Sequence, residues 1–249
     1  MRILLILLLL SSSLFASAGE KEFFEANEYF NKGDYRKAIA VYEDLYSSGL
    51  GGVPLLYNTG CAYYRAGDLA KAMIWFQRAY RLDPDNPEVL HNIRLVTKFS
   101  VDKVTPVPKM FLLAAYDSVV LWYSPDTWGA LVVLFFLLAL GGFFLFRLAP
   151  VSSYRKIGFF VLPVALILMV LTLTLTFSRI AVIDDASQAV IVAPKVSVQP
   201  SPGEGQKPLF DIHAALPVRI EGGAENGWYR IILPDGREGW VLQNSIEVI

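Results

Sequence analysis

Two long uncharged segments dominate the pattern of hydrophobic and polar positions in this chain. They run from Trp128 to Phe146 and from Ile157 to Phe177, and neither contains Asp, Glu, Lys, Arg or His. Each is close to the roughly 20 apolar residues that an α-helix needs to cross the core of a bilayer. The pattern therefore predicts two transmembrane helices, 127–146 and 157–177. The alternative, a buried apolar hairpin in a soluble protein, is disfavoured because soluble cores rarely need two such segments in succession.

The charges around these segments predict their orientation. Loop 147–156 contains Arg147, Arg155 and Lys156 and no acidic residue, whereas the outer flanks carry several aspartates. A short loop rich in Lys and Arg marks the cytoplasmic side of a membrane. Both large flanking regions are therefore predicted to lie outside the cytoplasm.

Residues 1–18 have the pattern of a secretory signal peptide. Arg2 supplies a positive charge, the segment 3–10 is apolar, and Ala-Ser-Ala at 16–18 fits a cleavage site. An uncleaved N-terminal anchor is the alternative. Either reading exports residue 19 onward, in agreement with the charge of the loop.

Residues 19–103 contain a repeat with a period of 34 residues. The first repeat has Tyr29, Gly33, Asp34 and Ala38, and the second has Tyr63, Gly67, Asp68 and Ala72. This period and residue set resemble the tetratricopeptide repeat, a helix–turn–helix unit. Glycine suits the turn between the two helices, and the following Asp can cap the second helix.

The repeat region comprises about two and a half repeats. After the second repeat, a third helix over about 88–99 resembles a half repeat. This number is near the minimum for a stable solenoid. We therefore expect the stack to be completed by docking onto the membrane segment or onto a partner.

The resemblance implies a peptide-binding groove formed by the first helix of each repeat. The matching positions are Asn27, Phe30, Asn31, Tyr57, Asn58, Cys61, Tyr64, Arg65, His91 and Lys98. Asn27 and Asn58 match the asparagines of repeats that clamp a peptide carboxylate, but Phe23 and Glu88 stand where those repeats have lysines. The alternative is that the aromatic residues only stabilise the stack and the polar ones are solvated.

The segment 104–126 is predicted to be a linker with an interfacial helix. Its apolar part, Lys109 to Tyr123, is too short to cross a bilayer and ends at Ser-Pro-Asp. Trp122, Tyr123 and Trp128 suit the aromatic belt at a membrane interface. The segment therefore leads into the first transmembrane helix.

Residues 181–249 have the pattern of a small β-domain. Short β-rich runs alternate with turns that contain Pro and Gly. The ending Gly-Trp-Tyr-Arg-Ile to Asp-Gly-Arg-x-Gly-Trp-Val, over 227–241, resembles bacterial SH3 domains. The resemblance implies a ligand-binding face with Trp228, Tyr229 and Trp240 as candidates, although packing in the core or at the rim is the alternative for each tryptophan.

The predicted fold class is a multidomain membrane protein with an all-α tetratricopeptide-repeat solenoid, a two-helix transmembrane hairpin and an all-β SH3-like small barrel.

Composition and charge narrow the functional classes. The chain of 249 residues has a formal net charge of −1, which gives no indication of a nucleic-acid partner. Its single cysteine, Cys61, excludes an internal disulfide, and a buried inert thiol is the preferred interpretation over pairing with another chain. The two histidines, His91 and His213, lie in different modules, so the sequence indicates no metal site, cofactor or catalytic constellation. We therefore predict a protein that is not an enzyme.

The order of export signal, repeats, two transmembrane helices and SH3-like barrel resembles the BatE family of bacterial aerotolerance operons. The resemblance covers nearly the whole chain. It implies partnership with Bat membrane proteins that carry von Willebrand factor A domains and with a MoxR-type ATPase, in envelope stress or complex assembly.

Three functional hypotheses follow. The first is a non-enzymatic scaffold of the bacterial inner membrane that binds protein partners through its repeats and its barrel, both in the periplasm. The second is a cell-wall sensor whose barrel binds peptidoglycan peptides. The third, a transporter subunit, is disfavoured because the transmembrane segments contain no ionisable residue.

Overall fold

The computed structural model describes residues 19–203 and 205–249. The predicted signal peptide, residues 1–18, lies outside the described residues. The described chain forms two compact units. The residues up to Val107 together with Ala186–Ile249 make the first, here called the repeat–barrel unit, and Pro108–Asp185 makes the second, the hairpin unit. The predicted fold class, helical repeats, two apolar helices and an antiparallel β-domain, is confirmed.

The regular elements follow the order predicted from the sequence. The helices are α1 (19–31 among the described residues), α2 (Tyr35–Ser47), α3 (Val53–Ala66), α4 (Leu69–Leu82), α5 (Pro87–Phe99), α6 (Phe111–Leu121), α7 (Pro125–Leu148) and α8 (Ser152–Ile183). The strands are β1 (Gln188–Ile191), β2 (Lys195–Val198), β3 (Phe210–His213), β4 (Pro217–Glu225), β5 (Trp228–Ile232), β6 (Glu238–Leu242) and β7 (Ile246–Val248), with a 3₁₀ turn over Gln243–Ser245.

Helices α1 to α5 form the two and a half repeats. Gly33 and Gly67 adopt φ of +83° and +87°, a conformation that glycine accepts without strain, and so end α1 and α3. The Asp68 carboxylate caps α4 by accepting from the Lys71 N–H at 2.9 Å. Asp34 does not cap α2 in this way; its carboxylate instead pairs with the Lys37 ammonium at 3.2 Å.

The second repeat needs a small residue at position 60. A Cβ atom added to Gly60 would lie 2.7 Å from the ring of Phe76 on α4. Because both residues are buried, no larger side chain fits between α3 and α4 without a shift of the helices.

The β-domain has a five-stranded antiparallel sheet and a two-stranded sheet. The strand order of the larger sheet is β6-β5-β4-β1-β7, and β2 pairs with β3. An isolated bridge between Gln199 and Trp240 joins the end of β2 to β6. Buried aliphatic side chains from both sheets fill the space between them, as expected for a small barrel: Ile191, Val196, Val198, Ile212, Val218, Ile220, Ile231 and Val241.

The repeats and the barrel pack against each other through α4. Ile74, fully buried, belongs to one apolar cluster with Val190 of β1 and with Ala215. Val96 of α5 is buried in the same cluster. A helix that is apolar on more than one face is expected to be covered on more than one face, and α4 packs against α3 as well as against the barrel.

Ion pairs border this apolar contact. The carboxylate of Glu247 on β7 lies 2.6 Å from the Lys71 ammonium and 3.8 Å from the Arg78 guanidinium. The Arg81 guanidinium donates to a main-chain oxygen of Ile249 at 2.6 Å. The long side chains of α4 thus reach over the edge of the sheet beside β7.

The chain that leaves α5 is tied along the barrel. The Asp102 carboxylate accepts from the N–H of His213 at 2.5 Å and lies 3.1 Å from its Nδ1. Val104 packs against the barrel core, and the Val107 N–H donates to the Pro234 carbonyl at 2.9 Å. His213 stands at the end of β3, and it anchors this connection.

The sequence patterns did not predict that another part of the same chain would pack on the repeats. The barrel of the same chain packs on α4 and α5. The physical reason is that α4 carries a second apolar surface, centred on Ile74, which the barrel removes from water.

In the hairpin unit, α7 and α8 are long and apolar enough to cross a membrane. At 1.5 Å per residue, their 24 and 32 residues give lengths of about 36 and about 48 Å. The two helices touch through small residues. A Cβ atom added to Gly158 would lie 2.5 Å from both the Gly142 carbonyl oxygen and the Phe146 nitrogen.

The helices extend beyond the predicted apolar segments. Only residues 149–151 separate α7 from α8, because Arg155 and Lys156 continue the helix. The Arg155 side chain donates to the Ala149 carbonyl at 2.8 Å, near the C-terminal end of α7. Within α8, the hydroxyls of Thr172, Thr174 and Thr176 donate to carbonyls four residues earlier, which satisfies them inside an apolar helix.

The contact between Glu247 and α4 predicts a charge-reversal effect. Glu247→Lys would place a third cation beside Lys71 and Arg78, so we expect the repeat–barrel packing to weaken by about 1 kcal/mol or more. Hydrogen exchange of the full chain in detergent should then become faster in both α4 and β7. The matched control is Glu225→Lys at the exposed end of β4, which makes the same change of charge. Equal exchange in the two variants would contradict the role of Glu247.

Candidate peptide-binding groove and barrel face

The predicted groove residues lie on the first helix of each repeat. Asn27, Phe30 and Asn31 are on α1, Tyr57, Asn58, Tyr64 and Arg65 are on α3, and His91 and Lys98 are on α5. Four of them are exposed, namely Asn31, Arg65, His91 and Lys98. The other five are partly buried, because they also take part in the packing of the repeats.

The two predicted asparagines meet each other. The Asn27 side-chain oxygen accepts from the Tyr42 hydroxyl at 2.5 Å and from the Asn58 side-chain amide at 3.0 Å. These bonds join α1 to α2 and to α3. The Asn27 side-chain oxygen is therefore already used by contacts within the repeats. These contacts orient the amide side chains of Asn27 and Asn58.

Tyr42 itself is fully buried. Burial raises the pKa of its hydroxyl to about 12, because the phenolate would lose its hydration. The ring of Phe23 lies 5.9 Å from that of Tyr42. Phe23 therefore packs against the first repeat at a position where a carboxylate clamp has a lysine.

Asn92 forms a second amide–tyrosine contact, which the sequence reasoning missed. Its side-chain amide donates to the Tyr57 hydroxyl at 2.9 Å and lies 4.0 Å from the Cys61 sulfur. Asn92 stands 34 residues after Asn58, so the repeat period itself is the signal that could have identified it. Polar contacts thus join the first helices of successive repeats: Asn27 with Asn58, and Tyr57 with Asn92.

Cys61 is partly buried beside these groups. Burial raises the pKa of its thiol, so the protonated, unreactive form is favoured at neutral pH. Burial also raises the pKa of the neighbouring Tyr57 to about 12. The Tyr57 phenol and the Cys61 thiol, in contact with the Asn92 amide, are therefore uncharged at neutral pH.

Aromatic stacking supports the exposed end of α3. The Arg65 guanidinium lies 5.9 Å from the centre of the Tyr35 ring, and the Phe30 ring lies 5.5 Å from the same ring. Tyr64 packs against the cluster between α3, α4 and the barrel. Arg65 is thus the exposed member of this group, whereas Tyr64 also contributes to the core.

Glu88 is exposed in the first turn of α5, where it suits the positive end of the helix dipole. Together, Phe23 and Glu88 supply no cation at the two lysine positions of a carboxylate clamp. The exposed cations of the predicted groove are instead Arg65 and Lys98, near the C-terminal ends of α3 and α5.

The three predicted residues of the barrel do not share one face. In the β5–β6 pair, Arg230 is opposite Trp240 and Tyr229 is opposite Val241. Side chains alternate along a strand, so Trp228 and Trp240 lie on one face and Tyr229 on the other. Tyr229 packs against the barrel core, Trp228 is only 8% exposed, and Trp240 is half-buried. Of the three, only Trp240 combines a partly exposed ring with a position on the outer face.

Metal binding has no support in the part of the chain that the structure describes. No three His, Cys, Asp or Glu side chains come together there. The His213 ring and the Asp102 carboxylate are in contact, and this contact joins the chain after α5 to the barrel. His91 lies elsewhere, exposed on α5.

Comparison with known proteins agrees with the helical repeats. Residues 25–87 match the tetratricopeptide repeat family. A search for similar curated proteins finds no match to the chain. Tetratricopeptide repeats are protein-interaction modules. The chain is accordingly a protein with two helices suited to membrane insertion and with repeats of a protein-binding type.

The network around Asn27 predicts a pH-dependent stability. Tyr42→Phe removes the hydroxyl that donates to the Asn27 side chain. At pH 8 we therefore expect the free energy needed for local opening of α1 and α2 to fall by about 1 kcal/mol. The folded-state pKa of Tyr42, about 12, lies above the usual value near 10. The stability that this hydroxyl contributes is therefore complete below about pH 10 and is lost as the pH rises toward 12.

The difference between wild type and Tyr42→Phe should accordingly narrow above pH 10. Hydrogen exchange followed at pH 8, and thermal unfolding compared at pH 8 and pH 11, would measure it. Tyr46→Phe is the control, because Tyr46 is exposed and keeps its ring contact with Trp75. A constant difference at all pH values would show that Tyr42 does not titrate in this way.

Proposed function

We propose that the protein is a non-enzymatic scaffold of the bacterial inner membrane that binds protein partners through its periplasmic repeats. The observation that carries this proposal is the set of exposed polar residues on the first helices of the repeats, beside side chains that hydrogen-bond these helices to one another. Asn31, Arg65, His91 and Lys98 are exposed, while Asn27, Asn58 and Asn92 bond to their neighbours. Such bonds hold the groove in one shape before a ligand arrives, which reduces the entropy cost of binding.

The character of the groove favours an extended protein segment that carries carboxylates. Arg65 and Lys98 are exposed cations, and Arg65 is held against the Tyr35 ring. The absence of lysines at positions 23 and 88 argues against specific capture of a terminal carboxylate. An internal acidic segment of a membrane protein fits these groups better.

The order of domains supports a role in an envelope-stress or aerotolerance complex, as in the BatE family that the sequence resembles. The partners would then be Bat membrane proteins with von Willebrand factor A domains. The barrel would offer a second binding surface around Trp240, on the same compact unit as the repeats. Two sites on one unit raise the effective concentration of each for a shared partner.

The packing of the repeats on the barrel supports the proposed topology. Residues before the hairpin and residues after it fold into one unit, so both must lie on the same side of the membrane. Two crossings by α7 and α8 satisfy this condition. The basic residues Arg147, Arg155 and Lys156 at the turn between α7 and α8 then favour a cytoplasmic position for that turn.

Capture of partners from cells tests the scaffold. Arg65→Glu combined with Lys98→Glu should reduce the recovery of crosslinked membrane proteins at least several-fold, because it reverses both exposed cations of the groove. Arg36→Glu combined with Lys207→Glu is the control, with the same change of charge at exposed positions on α2 and in the loop before β3. Mass spectrometry of the C-terminally tagged, crosslinked protein gives the comparison.

Equal recovery of the same partners from both double variants would count against the groove. Recovery of cell-wall fragments without any protein partner would favour the barrel as a peptidoglycan reader instead.

The topology has a separate test. Alkaline phosphatase is active only in the periplasm, so a fusion after Ile249 should be active and an insertion between α7 and α8 should be inactive. Fluorescence of green fluorescent protein at the same two positions should show the opposite pattern. Activity of the phosphatase in the turn would overturn the proposed orientation.

A further inference from the structure

Helix α6 is apolar on nearly all sides, and the described part of the chain covers little of it. Its 11 residues include only Asp117 and Ser118 as strongly polar side chains. Phe111, Leu112 and Leu113 are 83%, 74% and 57% exposed, and only Val120 is buried. A helix with this composition is normally covered, because each exposed apolar side chain costs free energy in water.

Contacts within the hairpin unit place α6 at one end of α7 and α8. Val120 packs with Trp128 near the start of α7 and with Leu175 in the last third of α8. The Trp128 indole donates to the Val120 carbonyl at 3.3 Å. The Tyr116 hydroxyl lies 2.6 Å from the Ser178 hydroxyl. These contacts fix the level of α6 along the hairpin.

That level coincides with the edge of the bilayer. Arg155 and Lys156 mark one interface, near the start of α8. About 20 helical residues then cross a hydrocarbon core of about 30 Å and reach the other interface near residue 177. Ser178, the partner of Tyr116, stands at that point. Helix α6 itself is only about 16 Å long, too short to cross.

The Asp117 carboxylate of α6 is compatible with a position at the edge of the lipid. The Asp117 carboxylate forms an ion pair with the Lys109 ammonium in the residues just before the helix. A paired carboxylate at the edge of the membrane costs less than an isolated one, and the lysine stem can extend toward the headgroups. Trp122 and Tyr123, 64% and 48% exposed, follow the helix, in the position of an aromatic belt.

We propose that α6 lies in the lipid at the interface remote from Arg155 and Lys156, with Phe111, Leu112 and Leu113 among the acyl chains. The exposed surface of α6 continues the exposed apolar surfaces of α7 and α8, which favours lipid over a protein partner as its cover. A protein-binding surface normally has a polar rim, and α6 has only Asp117 and Ser118. The inference rests on the membrane insertion of α7 and α8 in the proposed function.

Depth-dependent fluorescence quenching tests this placement in the full chain. In a Cys61→Ser background, a single cysteine replaces Leu112, Phe136 or Ser201 and carries the environment-sensitive dye NBD. Each protein is reconstituted without partners into vesicles of phosphatidylcholine and phosphatidylglycerol that contain lipids spin-labelled near the headgroup or deep in the chain. Phe136 is an exposed position in the middle part of α7, and Ser201 lies in an exposed loop of the barrel.

We expect the dye at position 112 to be quenched at least two-fold by the shallow spin label and more weakly by the deep one. The dye at position 136 should respond chiefly to the deep label, and the dye at position 201 to neither. Iodide in the water should quench position 201 far more than position 112.

The inference would be overturned if iodide quenches the dye at position 112 and neither lipid label does, while position 136 is quenched normally. Membrane insertion of the hairpin would still stand after that result. In that case a protein partner is the remaining cover for α6. Loss of lipid quenching at both 112 and 136 would instead overturn the membrane insertion, and the inference with it.

Discussion

Helix α4 is buried on two sides, and the organisation of the repeat–barrel unit depends on that packing. One side of α4 carries Phe76, which meets Gly60 of α3 inside the second repeat. The other side carries Lys71, Ile74, Arg78 and Arg81, spaced so that all four lie along one stripe of the helix. Ile74 enters the apolar cluster with the barrel, and the three cations around it reach Glu247 and Ile249. The stripe combines burial of apolar surface with charged contacts at its border, which gives the docking a defined register.

This docking explains how so short a solenoid can be stable. A half repeat leaves the last helices without the neighbour that a longer array would supply. In this chain the barrel covers α4 and α5, and Asp102 and Val107 tie the chain after α5 along the barrel surface. The segment that leads toward the hairpin and the segment that returns from it therefore belong to one folded body. For two membrane-crossing helices, this arrangement requires both flanks to lie on one side.

Hydrogen bonds inside the repeat array influence which groups of the proposed groove remain for a ligand. The oxygen of Asn27 accepts from Tyr42 and Asn58, and the amide of Asn92 is used by Tyr57. These contacts stiffen the helices that form the groove, and they leave Asn31, Arg65, His91 and Lys98 as its exposed polar groups. Side-chain alternation produces a similar division in the barrel. Tyr229 of β5 packs against the core, whereas Trp240 of β6 lies on the opposite face of the sheet and is partly exposed.

The local and periodic features of this protein can be predicted from the order of its residues alone. The 34-residue period, the length of the two uncharged segments and the Gly-containing turns are features of the linear sequence, and they predict the order of helical repeats, apolar helices and β-domain, although α7 and α8 extend beyond the uncharged segments. The 34-residue spacing from Asn58 also contains the information that would have indicated Asn92. The alternation of side chains along β5 likewise suffices to separate Tyr229 from Trp228, because consecutive residues of a strand point to opposite faces.

The way in which the repeats and the barrel are joined is visible only in the three-dimensional contacts. Lys71 meets Glu247 across 176 residues and Asp102 meets His213 across 111, and no local spacing links either pair. The apolar stripe of α4 indicates that something covers the helix, but burial of apolar surface is non-directional and does not specify the partner. The shape of the barrel surface and the position of Glu247 on it select α4 as the helix that it covers. The repeats are therefore completed from within the chain, a result that depends on three-dimensional complementarity and not on sequence pattern.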